Sequence, residues 1–173
     1  RGTPFTGLLF CGLAATSEGL KVIEFNVRFG DPETLVVLER LGSDLGELLH
    51  AAATGDLAGT PDLAWRDESA VAVVLASEGY PLAAQTGREI TGLDEVREAG
   101  CTVIHAGTTR DSDGTVRSSG GRVLSVVARE NTLEDARVRA QSAIARVLLE
   151  GSHYRTDIAE RAALGAIERV TQL

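Results

Sequence analysis

The 173 residues are 43% hydrophobic and 24% charged, enough for one ordinary domain or two small ones. The net charge of −8 offers no basic stripe to displace counterions from phosphates, which argues against general nucleic-acid binding. No apolar run approaches the roughly 18 residues needed to span a bilayer and no signal-peptide pattern opens the chain, so a soluble, cytoplasmic protein without membrane contact is expected.

Residues 6–15 (TGLLFCGLAA) and 21–29 (KVIEFNVRF) are two strand-like runs joined by a short polar turn, which predicts an antiparallel hairpin. Gly30-Asp31-Pro32-Glu33-Thr34 then reads as a helix start. Asp31 suits the N-cap, Pro32 the first helical position, and Glu33 the positive end of the dipole. A second start at Ser43-Asp44 leads into LGELLHAAAT, with Gly55 as its stop. After a connecting stretch, SAVAVVLAS (69–77) is a continuous apolar run and is expected as a buried strand. EGYPLAAQTG is a loop, GLDEVREAG a short helix, CTVIHAGT (101–108) a strand, DSDG (111–114) a turn and GGRVLSVVARE (120–130) a further strand. Thr132 opens a helix with a capping-box pattern ending at Asp135. Leu133, Ala136, Ala140, Ile144, Val147 and Leu148 are expected to form its buried face. A last helix is expected over much of 156–170. The fold class is α+β, or mixed α/β. The expected division is 1–57, a linker at 58–67, and a second domain at 68–173.

Cys11 and Cys101, far apart in apolar segments, fit buried reduced thiols and neither a disulfide framework nor a CxxC metal pattern. The chain has no methionine and begins at Arg1, close to a strand, so it is expected to be a C-terminal piece of something longer.

The chemistry concentrates in EFNVRFGDPE. Strand alternation puts Ile23, Phe25, Val27 and Phe29 on one face, and Val22, Glu24, Asn26 and Arg28 on the other. Carboxylate and amide oxygens are hard ligands that Mg²⁺ accepts, with water and substrate phosphate completing its shell. Arg28 can grip a phosphate or carboxylate bidentately. The alternative is an amphipathic strand with a solvated Glu-Arg face.

EFNVRFGDPET, preceded by GLLFCGLAAT, resembles the glycinamide ribonucleotide synthetase family, the phosphoribosylamine–glycine ligases of the ATP-grasp superfamily. Residues 28–34 follow the family's Arg-Phe-Gly-Asp-Pro-Glu signature, although Leu35 stands where Gln or Met is usual. ASEGYP (76–81), ITGLDE (90–95), HAGT (105–108), GGRVLSV (120–126) and GSHYRTDI (151–158) extend the likeness in the same order. The resemblance implies the C-terminal part of an ATP-grasp domain followed by a small α+β domain. It implies an ATP-dependent ligase of purine biosynthesis, joining glycine to 5-phosphoribosylamine through glycyl phosphate. Glu24 and Asn26 become ligands of Mg²⁺ or Mn²⁺, and Arg28 the group that stabilises the transferring phosphoryl or the acyl phosphate. Asp31 and Glu33 become contacts to the glycine amine or the ribose hydroxyls, and the backbone at Gly30 with the following helix start offers N–H groups to an anion. TGLLFCGLAA supplies no further metal-binding acid. The family's upstream half, with its nucleotide-binding lysines and adenine pocket, has no counterpart here, so these residues alone are expected to be inactive. Two other readings compete: another ATP-grasp enzyme, such as a carboxylase that activates bicarbonate, and a non-catalytic interaction module derived from the fold. His50, His105 and His153 show no metal-ligand spacing, and His105 is expected as a satisfied histidine near a sheet edge.

Overall fold

The computed structural model describes residues 2–166, which form two compact units, 2–67 and 68–166. The architecture is α+β with antiparallel sheets.

The first unit opens with a hairpin of β1 (Phe10–Thr16) and β2 (Gly19–Asn26). Gly19 takes φ +97°, a left-handed conformation that side-chain-bearing residues rarely adopt, and this closes the turn. A register shift after Gly12 sets Leu13 opposite Val22, so the strict alternation expected through residues 22–24 is broken at Ile23. β2 also ends at Asn26. Arg28 therefore lies beyond the pleated strand instead of continuing its polar face.

Helix α1 is Glu33–Arg40, starting after Pro32. Asp31 is not its N-cap. Pro32 holds that place, with φ −98° and ψ 7°, and a pyrrolidine ring has no acceptor for a first-turn N–H. The amides of Thr34 and Leu35 instead bond back to the carbonyls of Gly30 (3.3 Å) and Pro32 (3.0 Å), so these two N–H groups are not offered to an anion. Helix α2 (Leu45–Thr54) keeps the expected caps: Asp44 Oδ1 accepts from the Glu47 N–H at 2.9 Å, and Gly55 closes it at φ +79°. Residues 57–66 then fold back on this unit. Leu57–Gly59 makes a 3-10 turn, the Gly42 N–H donates to the Ala64 carbonyl, and the Arg66 N–H donates to the Arg40 carbonyl, both at 2.8 Å.

The second unit is built on a three-stranded sheet with β7 (Arg122–Glu130) between β3 (Ser69–Ala76) and β4 (Thr102–His105). A two-stranded ribbon of β5 (Thr108–Arg110) and β6 (Val116–Ser118) flanks the turn at 111–115. Helix α3 (Leu93–Glu98) precedes β4, and α4 (Leu133–Ile144) follows β7. The core lies between the sheet and α4. Val73, Leu75, Val123, Leu124, Val126 and Ile144 are all essentially inaccessible. Thr132 forms the N-cap half of the expected capping box: Oγ1 accepts from the Asp135 N–H at 3.1 Å, while Asp135 Oδ2 accepts from that hydroxyl at 2.6 Å.

Three expectations fail here. α4 ends at Ile144, so Leu148 no longer follows its helical stripe; Leu148 is 64% exposed, and Ala143 and Leu149 are buried instead. Cys101 is buried, but Cys11 is exposed, because its face of the hairpin is uncovered. Within 156–166 only Glu160–Ala163 is helical, as α5, and the rest of the expected last helix lies outside the described residues. Among the described residues no helix is long and apolar enough to cross a membrane.

Candidate functional site

Phe10 stands opposite Asn26 in the hairpin, and Gly12 opposite Glu24. Directly paired residues project to the same face. Phe10, Gly12, Glu24 and Asn26 therefore share one side of the ribbon. Gly12 has no side chain, and a β-carbon there would come within 3.2 Å of Glu24 Cγ, so the glutamate stem leans over the glycine. At its tip, Asn26 Nδ2 donates to Glu24 Oε1 at 2.8 Å.

This is one carboxylate and one amide brought together on an exposed strand end. Among the described residues no three or more His, Cys, Asp or Glu groups gather closely enough to hold an ion by themselves. Two hard oxygen ligands fit an ion that takes most of its shell from water and phosphate, as Mg²⁺ does. An ion between the two head groups would replace their mutual hydrogen bond.

Past the strand the chain turns into α1. Arg28 Nη1 donates to the Phe29 carbonyl at 2.7 Å. Gly30 is buried at the corner. A β-carbon on it would lie 2.9 Å from Phe10 Cδ2 and Cε2 and 2.9 Å from Glu33 Oε2, so the ring and the carboxylate both crowd that one position. Only a glycine lets the ring and the carboxylate approach the backbone this closely. Phe10, Arg28, Gly30 and Glu33 line a pocket of about 190 Å³, together with Leu8, Leu9, Phe29, Thr34, Val37 and Leu38. Asp31, exposed at the same corner, does not line it.

Five candidate residues were legible from the sequence. The structure joins Glu24 to Asn26 directly and sets Arg28 and Glu33 around one pocket. Phe10, Gly12 and Gly30 carry no reactive group, and their positioning roles appear only in the cross-strand register and in the space a β-carbon would need.

The second unit supplies no comparable grouping of candidate residues. His105 sits on the edge strand β4, with Nδ1 3.0 Å from Thr108 Oγ1. Partial burial, then the nearby Arg97 and Arg110 charges, hold its pKa below the ordinary histidine range. His153 pairs by its backbone with Ala76. The Gly-Gly step before β7 is a close-packing device: a β-carbon on Gly120 would meet Gly107, and one on Gly121 the Tyr80 ring.

Two family models match the chain, the phosphoribosylglycinamide synthetase C domain over residues 70–161 and the ATP-grasp (A) domain of the same synthetase over residues 1–34. A phosphoribosylamine–glycine ligase of Streptomyces coelicolor is 58% identical over 166 residues, 94% of this chain and 40% of the relative. One from Leifsonia xyli is 57% identical over 162 residues, 92% of this chain and 39% of the relative. Among solved structures, the phosphoribosylamine–glycine ligase of Thermotoga maritima superposes with a TM-score of 0.74 at 34% identity, over 87% of this chain and 36% of that one. The chain thus spans about 40% of the length of the curated relatives it matches. With an ATP-grasp segment carrying the Glu24–Asn26 pair and a C domain carrying the sheet and α4, the chain belongs to the phosphoribosylglycinamide synthetase family.

Proposed function

We propose that this chain is the C-terminal part of an ATP-dependent carbon–nitrogen ligase of purine biosynthesis. It acts in the cytoplasm and joins glycine to 5-phosphoribosylamine. The glycine carboxylate attacks the γ-phosphorus of ATP, giving glycyl phosphate and ADP. The amine of phosphoribosylamine then attacks the acyl carbon, phosphate leaves, and the amine gives up a proton as the amide forms.

The observation that carries this reading is the 2.8 Å contact between Asn26 and Glu24, on the strand that leads to Arg28. Glu24 and Asn26 would hold Mg²⁺ or Mn²⁺, which neutralises phosphate charge when bound. Arg28 binds and orients the oxygens that gain charge as the phosphoryl group moves and as the acyl phosphate breaks down. Glu33, at the first position of α1, holds the glycine ammonium; Asp31, at the exposed corner, contacts a ribose hydroxyl.

The first unit also supports a partner from the same polypeptide, the ATP-gripping half that relatives carry upstream. Among its described apolar side chains only Ala51 is buried, while Leu13, Val22, Ile23, Phe25 and Val27 are 51–75% exposed. A two-stranded ribbon is marginal by itself in water, and so large an apolar surface calls for a cover.

The test is a chimera in which this whole chain replaces the corresponding segment of the S. coelicolor relative. Glycine-dependent ADP formation in the presence of phosphoribosylamine, lost in Glu24→Ala, is the expected result. A folded chimera without glycine-dependent turnover would overturn the ligase reading. Full activity in Glu24→Ala would overturn the metal assignment alone.

A further inference from the structure

We propose that the Asp113–Gly114 step is a site of spontaneous isomerisation, held shut by the native turn between β5 and β6 and released whenever that turn opens. The reaction is intramolecular and needs no partner but water.

Asp113 is the only aspartate or asparagine in the sequence that is followed by glycine. Such a step is open to cyclisation because no side chain on the second residue hinders the attack. The Gly114 nitrogen adds to Asp113 Cγ, an N–C bond forms, and the carboxyl hydroxyl leaves as water with the amide proton. The cyclic imide then takes up water again. Opening at Cγ restores aspartate. Opening at the α-carbonyl leaves a main chain that runs through the former side chain, longer by a methylene, with a carboxylate on the α-carbon.

Asp113 and Gly114 are both exposed to solvent, yet the turn occupies each reacting group. The attacking nitrogen is engaged, since the Gly114 N–H donates to the Asp111 carbonyl at 3.0 Å. The receiving carboxyl is engaged as well: the Thr115 N–H donates to Asp113 Oδ1 at 2.9 Å. That bond, helped by the Thr115 hydroxyl, holds the Asp113 carboxyl below the ordinary carboxylate range. A carboxylate is the poorer target, because its oxygen leaves readily only when protonated. Further contacts brace the frame. The Asp111 N–H donates to the Thr115 carbonyl and Arg110 Nη1 to the Gly114 carbonyl, both at 2.9 Å, and Arg117 Nε donates to Asp111 Oδ2 at 2.5 Å. Gly114 itself takes φ +91°, a left-handed conformation that residues with side chains rarely adopt. The turn thus requires the residue that makes its own chain reactive.

The measurement is the rate at which isoaspartate appears at residue 113 of the whole chain, read by peptide mapping and by enzymatic methylation of the new α-carboxylate. It is made at neutral pH in buffer, in urea, and in the Thr115→Pro variant in buffer, which lacks the N–H that Asp113 accepts. Steady accumulation is expected in urea. The folded chain should be slower by about tenfold or more, the scale of several hydrogen bonds opened together. Thr115→Pro should recover much of the urea rate while its far-UV spectrum stays that of the folded chain. Asp113→Glu, whose longer side chain cannot close the five-membered imide, should abolish the signal at this step. Equal rates in buffer and urea would overturn the gating, and that comparison decides it whether or not Thr115→Pro folds. No isoaspartate at residue 113 in urea would overturn the site itself. A folded Thr115→Pro that reacts at the unsubstituted rate would overturn protection by the Thr115 contact.

Discussion

Gly12 lies opposite Glu24 in the first hairpin, and the Glu24 side chain crosses the space that a β-carbon at position 12 would claim. The missing side chain sets where the carboxylate goes. Gly12→Val should therefore push Glu24 off Asn26 without altering either of these two proposed metal-holding side chains. In the chimera described above, the Mg²⁺ concentration for half-maximal activity should rise about tenfold, as for other changes behind a metal ligand. An unchanged Mg²⁺ dependence would show that Glu24 does not need the cleared space.

Arg28 offers a test of bidentate contact over charge. Lysine keeps the charge but cannot present two parallel N–H groups to a carboxylate or phosphate. Arg28→Lys should lose about 1.5–3 kcal/mol of transition-state stabilisation, the scale of a hydrogen bond to a charged group. It should be read as the ratio of kcat/KM for glycine. Activity close to the unsubstituted chimera would mean that a point charge suffices.

His105 carries a pH signature that can be read on this chain alone. Partial burial and the Arg97 and Arg110 charges lower its folded-state pKa, so the unfolded chain binds the proton more readily. Stability from this group is present above the unfolded histidine value and is lost as pH falls through it toward the lower folded value. Proton NMR of the imidazole should give a midpoint below the ordinary histidine range. In His105→Gln the acid-side loss of stability should shrink; the same loss in the variant would show that another group causes it.

Two positions in the second unit should separate a lost cap from a blocked backbone. Thr132→Ala removes the capping-box hydroxyl and should cost about 1 kcal/mol in urea unfolding. Gly92, at φ +80°, has the Arg146 carbonyl oxygen where a β-carbon would go. Gly92→Ala should cost about 3 kcal/mol, near the upper end of ordinary substitutions. Equal costs would mean that the 92–146 approach relaxes freely.

These contrasts mark what local sequence can convey. The caps at Asp44, Gly55 and Thr132 were legible because each satisfies helix-end groups with residues a few positions away. The Glu24–Asn26 pair was legible because two-residue spacing sets one face of a strand. Asp31 failed as a cap because Pro32 takes that place in the turn out of the hairpin. The shift after Gly12 gave no signal, since a ribbon exposed on both faces has no buried side to pin its register. The approach of Phe10 to Gly30 was silent for another reason: it joins residues twenty apart, and nothing in either segment announces the other.

The hairpin also carries a consequence for how the chain reaches its folded state. β1 and β2 are joined by a tight turn, and neighbours of this kind meet within about 1–10 μs. The central sheet of the second unit must bring Ser69 to Glu130, and pairings so distant in sequence form more slowly. The ribbon, with Ile23 and Phe25 bare, is thus made first and keeps both outer edges unpaired through the slower step. During that interval the nearest matching surface is the same ribbon on a neighbouring chain, so refolding yield should fall steeply as protein concentration rises.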